Sequence, residues 1–151
     1  MASPRRKRFN KLLVLRQREL AQKHAAAAKA RTAMNTSSLA LETCQGELRQ
    51  AAHHWRANPS EVRAAATYLE AGAWLQKKVQ GVEKALTSLE LSQERVRLTM
   101  LDVVRAENEK RKIESLLQRI TEEEALAAAR EEQKDQDEIA SRQVRNSRFS
   151  K

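Results

Sequence analysis

The chain has one cysteine, two prolines, three glycines and five aromatic side chains in 151 residues. Each scarcity removes a class of protein. A single cysteine, Cys44, forbids an intrachain disulfide and suits a reducing compartment. With 3% aromatic residues the chain has few of the large rings that fill a compact core. With so little glycine and proline it has few places to turn. No apolar run approaches the ~18–20 residues needed to span a bilayer. No Gly-rich phosphate loop, Ser/His/Asp set or zinc spacing occurs. His53 and His54 are adjacent, so a regular helix cannot aim both at one metal. Glu122-Glu123-Glu124 reads as a solvated helix face, with no concave pocket to shift a carboxyl pKa. Cofactor, metal and catalytic residues are all expected to be absent.

What fills the chain is Ala, Leu, Glu, Lys, Arg and Gln, the mixture of long helices. Two heptad ladders order it. Leu13, Leu20, Ala27, Met34, Leu41, Leu48 and Trp55 recur every seventh residue, as do Leu75, Val82, Leu89, Val96, Val103, Lys110 and Leu117. Seven-residue spacing keeps one stripe facing a partner helix. The first ladder has a mixed companion row: Phe9, Arg16, Lys23, Ala30, Ser37, Cys44 and Ala51. The second alternates steps of four and three through Val79, Leu86, Gln93 and Met100. Two consecutive steps of three, at 100, 103 and 106, then predict a local overwinding before the stripe resumes at Lys110, Ile113, Leu117 and Ile120.

Between the ladders, Asn58-Pro59-Ser60-Glu61 combines an N-cap residue, a first-turn proline and a capping-box glutamate. The expected fold is all-α: one long antiparallel two-helix coiled-coil hairpin over 1–151. Helix one covers 5–57, a tip with a short helix covers 58–72 and stops at Gly72, and helix two covers 73–145. Helix one alone is roughly 75–80 Å long. Antiparallel packing about such a tip makes facing positions sum to about 130. Residue 5 then faces residue 125. The last ~25 residues overhang as a charged helix of about 35–40 Å with nothing of their own chain to pack against. Such a hairpin is expected to be monomeric when free.

Net charge is +9 and unevenly placed. Arg5 to Arg31 holds ten Lys/Arg and one acid, Glu19, whereas acids prevail from Glu122 to Glu138. Residues 1–31 have the Arg- and Ala-rich, acid-poor composition of a transit peptide, but the first ladder runs through them unbroken. A basic surface invites nucleic acid, anionic lipid or an acidic protein. The end carrying it holds only Phe9 and Phe149 for base stacking, so no nucleic-acid partner is expected. A basic nucleic-acid-binding coiled coil remains the alternative from a different class, beside a scaffold or chaperone that dimerises through the same seam. Trp55, Tyr68 and Trp74 gather near the tip. Trp55 continues the ladder, which leaves Tyr68 and Trp74 as partner-contact candidates.

Several stretches together resemble one family. Phe9-Asn10-Lys11-Leu12-Leu13-Val14-Leu15-Arg16-Gln17-Arg18-Glu19 resembles the aromatic–leucine–Leu-x-x-Arg-x-x-Glu opening of the FliJ coiled-coil proteins of the flagellar type III export apparatus. Tyr68-Leu69 resembles a Tyr-Leu pair at that family's tip. Glu131-Glu132-Gln133-Lys134-Asp135-Gln136-Asp137-Glu138 is similar to its Glu-Gln-Lys-x-x-Asp-Glu signature. The segment from Glu107 to Arg119 shares the family's charged composition there but not its spacing. The resemblance implies a non-enzymatic stalk whose termini enter a hexameric export ATPase and whose tip reaches a membrane export gate, with handling of export chaperones. The injectisome stalk of type III secretion is the nearest alternative. The resemblance further implies a bacterial cytoplasmic protein, peripheral through its partners on the cytoplasmic face of the inner membrane at the flagellar base. The implied ATPase contacts are Arg5, Arg6, Arg8, Lys11, Arg16, Gln133, Asp137, Glu138, Arg142 and Arg145. The implied gate contacts are Tyr68, Leu69 and Trp74.

Overall fold

The computed structural model describes residues 2–57 and 65–150. They form two helices, α1 over Pro4–Ala57 and α2 over Ala65–Phe149. The helices pack against each other as an all-α helical hairpin, and no strand occurs among the described residues. The start of α1 is written locally. Ser3 Oγ accepts the Arg6 amide hydrogen at 3.1 Å, the Ser3 carbonyl accepts that of Lys7 at 3.0 Å, and Pro4 takes the first helical position. Ion pairs one turn apart line α2: Glu94 with Arg97, Glu107 with Arg111, Glu109 with Lys112, Lys110 with Glu114, and Glu138 with Arg142. Such pairs favour the helix only modestly, because they are exposed and screened by solvent.

The chain divides into two compact units, Met1–Leu20 with Ala106–Lys151, and Ala21–Arg105. In the first, Ser3 donates to the Glu124 carboxylate and Arg5 pairs with Glu123 at 3.5 Å. Ile113 and Ile120 are its buried side chains. In the second, Arg31 reaches Met100 Sδ at 3.3 Å, the Ser37 and Ser92 hydroxyls meet at 3.0 Å, and Lys78 pairs with Glu47 at 3.0 Å. Ala27, Ala30, Ala51, Ala71 and Val103 are buried there. Within each unit the partners' position numbers sum to 125–131, the register expected for an antiparallel pair.

Both ladders are realised. Every rung from Leu13 to Trp55 and from Leu75 to Leu117 is half-buried or buried. The companion row of α2 differs from expectation. Of the expected row Met100 is half-buried, but Val79, Leu86 and Gln93 are exposed, and a different row is covered throughout: Ala71, Lys78, Ala85, Ser92, Thr99, Ala106, Ile113 and Ile120. That row keeps a strict seven-residue interval, so the overwinding expected near Ala106 has no cause. From Ala71 to Thr99 it is mostly short side chains, and they face the short row Ala30, Ser37, Cys44, Ala51 of α1. The Ser37–Ser92 hydrogen bond marks that facing.

Helix two also begins earlier than residue 73. It runs unbroken from Ala65 through Gly72 and ends at Phe149, not 145. Gly72 does not adopt the left-handed conformation of a helix stop. One helical glycine costs only about 1 kcal/mol relative to alanine. Its neighbours, buried Ala71 and the Trp74–Leu75 pair, hold the helix through it. The capping segment Asn58-Pro59-Ser60-Glu61 lies outside the described residues, as does the first part of the expected short helix.

Candidate partner-binding sites

The terminal site is built from the start of α1 and the last third of α2. Ser3 accepts from the Arg6 amide and donates to Glu124, so the Glu124 carboxylate sits at the electropositive start of α1. Past this clasp α2 continues alone, and every residue from 125 to 150 is exposed. Gln133, Asp137, Glu138, Arg142 and Arg145 all lie on this bare stretch. Its exposed apolar side chains are Leu126, Ile139, Val144 and Phe149. The Glu138–Arg142 pair at 2.6 Å ties one turn internally.

The basic residues of α1 separate into two roles. Arg5, Arg8 and Lys11 are exposed, with Arg5 held by Glu123. Arg6 is half-buried. Arg16 occupies the seam's companion row, and its guanidinium is bonded to Glu19 at 2.9 Å. Its charge is therefore partly spent within the chain. Glu109, opposite on α2, has its carboxyl held below the usual range, first by the hydrogen bond from Lys112 and in smaller part by the Arg16 charge.

The second site is the start of α2 against the end of α1. Tyr68 and Leu69 are well exposed, at 64% and 72%. Trp74 stands edge-on to Trp55 with ring centroids 6.4 Å apart. The Lys78 ammonium lies 5.7 Å from the Trp74 ring centroid while pairing with Glu47. Trp55 is half-buried and continues the seam, Trp74 is 41% exposed, and Tyr68 and Leu69 are more exposed still. Lys78 was not singled out from the sequence. Its signal is an i, i+4 spacing from Trp74, which puts the cation over the ring on one helix face. Ser3 was likewise missed, although Ser-Pro before a basic helical run is a start signal.

Other groups stay apart. No three His, Cys, Asp or Glu side chains converge among the described residues. His53 is exposed, and Cys44 is half-buried in the companion row. Among the described residues no helix is long and apolar enough to cross a membrane. What the arrangement offers is surface: an uncovered helix at one site and exposed aromatic and aliphatic side chains at the other.

Comparison with known proteins agrees with that character. No curated protein and no solved structure matches the chain. A family model described as "Flagellar FliJ protein" matches residues 5–149, nearly the whole length. The match includes the ladders, the exposed Tyr68-Leu69 and the bare end of α2, and the chain belongs to the FliJ family of flagellar export proteins.

Proposed function

We propose that this protein is a non-enzymatic stalk of the flagellar type III export apparatus, joining a hexameric export ATPase to the membrane export gate. The observation that carries this reading is the stretch 125–149, helical and exposed along its whole length. A helix of that length with no packing partner is marginal in water. Insertion into a ring would supply the missing surface. Gln133, Asp137, Glu138, Arg142 and Arg145 would meet the ring wall, with Arg5, Arg6, Arg8 and Lys11 at its mouth. Arg16 supports the seam instead of reaching outward. Tyr68, Leu69 and Trp74 would bind the gate, since exposed aromatic anchors beside a basic residue suit a protein partner. Export chaperones are further partners. The protein would act in the bacterial cytoplasm at the flagellar base, reaching the inner membrane's cytoplasmic face through these partners.

Coupling in such a stalk requires a seam that keeps its register. The large Leu and Val ladder and the small companion row supply this, because a slip by one residue would set large side chains against the small row. The decisive test is deletion of residues 126–151. The truncated protein is expected to keep most of its helical signal and to lose stimulation of the cognate ATPase. Full stimulation by the truncated protein would refute insertion.

A further inference from the structure

The outward face of the first turns of α1 has a composition that the seam and the ring contacts do not explain. Lys11 and Arg18, one heptad apart, form its ridge. Arg8 and Leu15 lie on one flank and Lys7 and Val14 on the other. All six are exposed, Val14 at 46% and Leu15 at 53%. The same stretch turns Phe9, Leu12, Leu13, Arg16 and Leu20 toward α2. The only acid between residues 4 and 20 is Glu19, and it is bonded to Arg16 on the seam side. None of Lys7, Arg8, Lys11 and Arg18 forms an ion pair with any described residue. Four uncompensated cations therefore frame two half-exposed aliphatic side chains on one flat helical strip.

We propose that this strip, Lys7, Arg8, Lys11, Val14, Leu15 and Arg18, binds an anionic phospholipid surface. Long basic side chains reach lipid phosphates while their methylene stems lie along the interface. Val14 and Leu15 then sit at the level of the acyl boundary, as in helices that lie in the plane of a membrane. The two aliphatic residues decide between partners of like charge. A phosphate backbone without lipid gives them nothing to enter, and the strip has no aromatic ring to stack on a base. Arg8 and Lys11 belong both to this strip and to the proposed ring contact. Membrane-bound and ring-bound forms are thus alternatives for one copy, but lipid binding by the isolated chain does not depend on the ring reading.

The test uses the full-length protein and vesicle flotation. Vesicles with a third of phosphatidylglycerol in phosphatidylcholine are expected to carry the protein, and pure phosphatidylcholine vesicles are not. Lys11→Ser with Arg18→Ser should weaken binding about thirtyfold, from the contribution of each basic residue near an anionic leaflet. Lys77→Ser with Lys84→Ser, which removes the same charge from exposed positions elsewhere, should change it less than threefold. Val14→Ser with Leu15→Ser should weaken vesicle binding at least fivefold and leave retention on heparin unaltered. Equal losses from the two lysine–arginine and lysine–lysine variants would overturn the proposal, showing attraction by net charge alone. Unchanged vesicle binding by the Val14/Leu15 variant would also overturn it, in favour of an acidic polymer or protein as the natural occupant.

Discussion

At the scale of single residues, the most fully covered positions of the unit Ala21–Arg105 are mostly alanines. Ala51 is 1% exposed and Ala30 and Ala71 are 5% exposed, whereas Val79 and Leu86, larger and more apolar, stand more than 40% in solvent. Burial here follows position in the heptad, not hydrophobicity. Ala51→Leu should overpack the short row and cost about 1–3 kcal/mol, while Leu86→Gln should change stability by no more than about 0.5 kcal/mol. Urea denaturation of the two variants measures both, and the reverse ranking would place the seam on the other row. Gly72 offers a second check. A Cβ added there meets nothing within 4 Å, and the backbone has no left-handed conformation to protect. Gly72→Ala should therefore stabilise the protein by about 0.4–1 kcal/mol, read as a raised urea midpoint. A glycine acting as a helix stop would show a loss.

At the scale of the element, α2 is held along its length by charges as well as by packing. The Glu94 carboxyl is held below its ordinary value, chiefly by the hydrogen bond from Arg97, and the Glu109 carboxyl likewise by Lys112. A carboxyl whose folded pKa is depressed contributes stability above its unfolded pKa and loses it as pH falls through the folded value. Helical content should be steady from pH 7 down to about 5 and fall below the ordinary carboxylate range near 4.5. The effect should be small, since both groups are exposed and salt screens them. Circular dichroism against pH, at low and at high salt, checks this; a fall centred on neutral pH would implicate another group.

At the scale of the whole molecule, the antiparallel register is the property on which the proposed coupling depends. Leu41 and Leu89 both belong to the unit Ala21–Arg105 and sum to the expected register. Packed helices lie about 8–10 Å apart. Spin labels replacing these two leucines should report a short separation that persists on dilution with unlabelled protein. A signal lost on dilution would mean that the second helix comes from another copy.

Much of this was legible in the residues. The composition allowed only helix, and the two ladders of equal period named one row of each seam. A tip expected over 58–72 set where position numbers must balance, so the register and the uncovered end followed by arithmetic. The Ser3 clasp with Glu124 joins residues 121 positions apart, which no local pattern reveals. The choice of companion row was open as well. A row spaced by seven residues, such as Leu75 to Val103, is compatible with a neighbour three or four positions on. Apolar Val79 and Leu86 made one choice attractive, whereas Lys78, Ala85 and Ser92 carry no apolar signal. Only the partner helix decides: its own short row admits α2 closest where α2 is also short, and that approach turns Val79 and Leu86 to solvent. Period belongs to one helix and can be read from it; the direction in which a helix faces belongs to the pair.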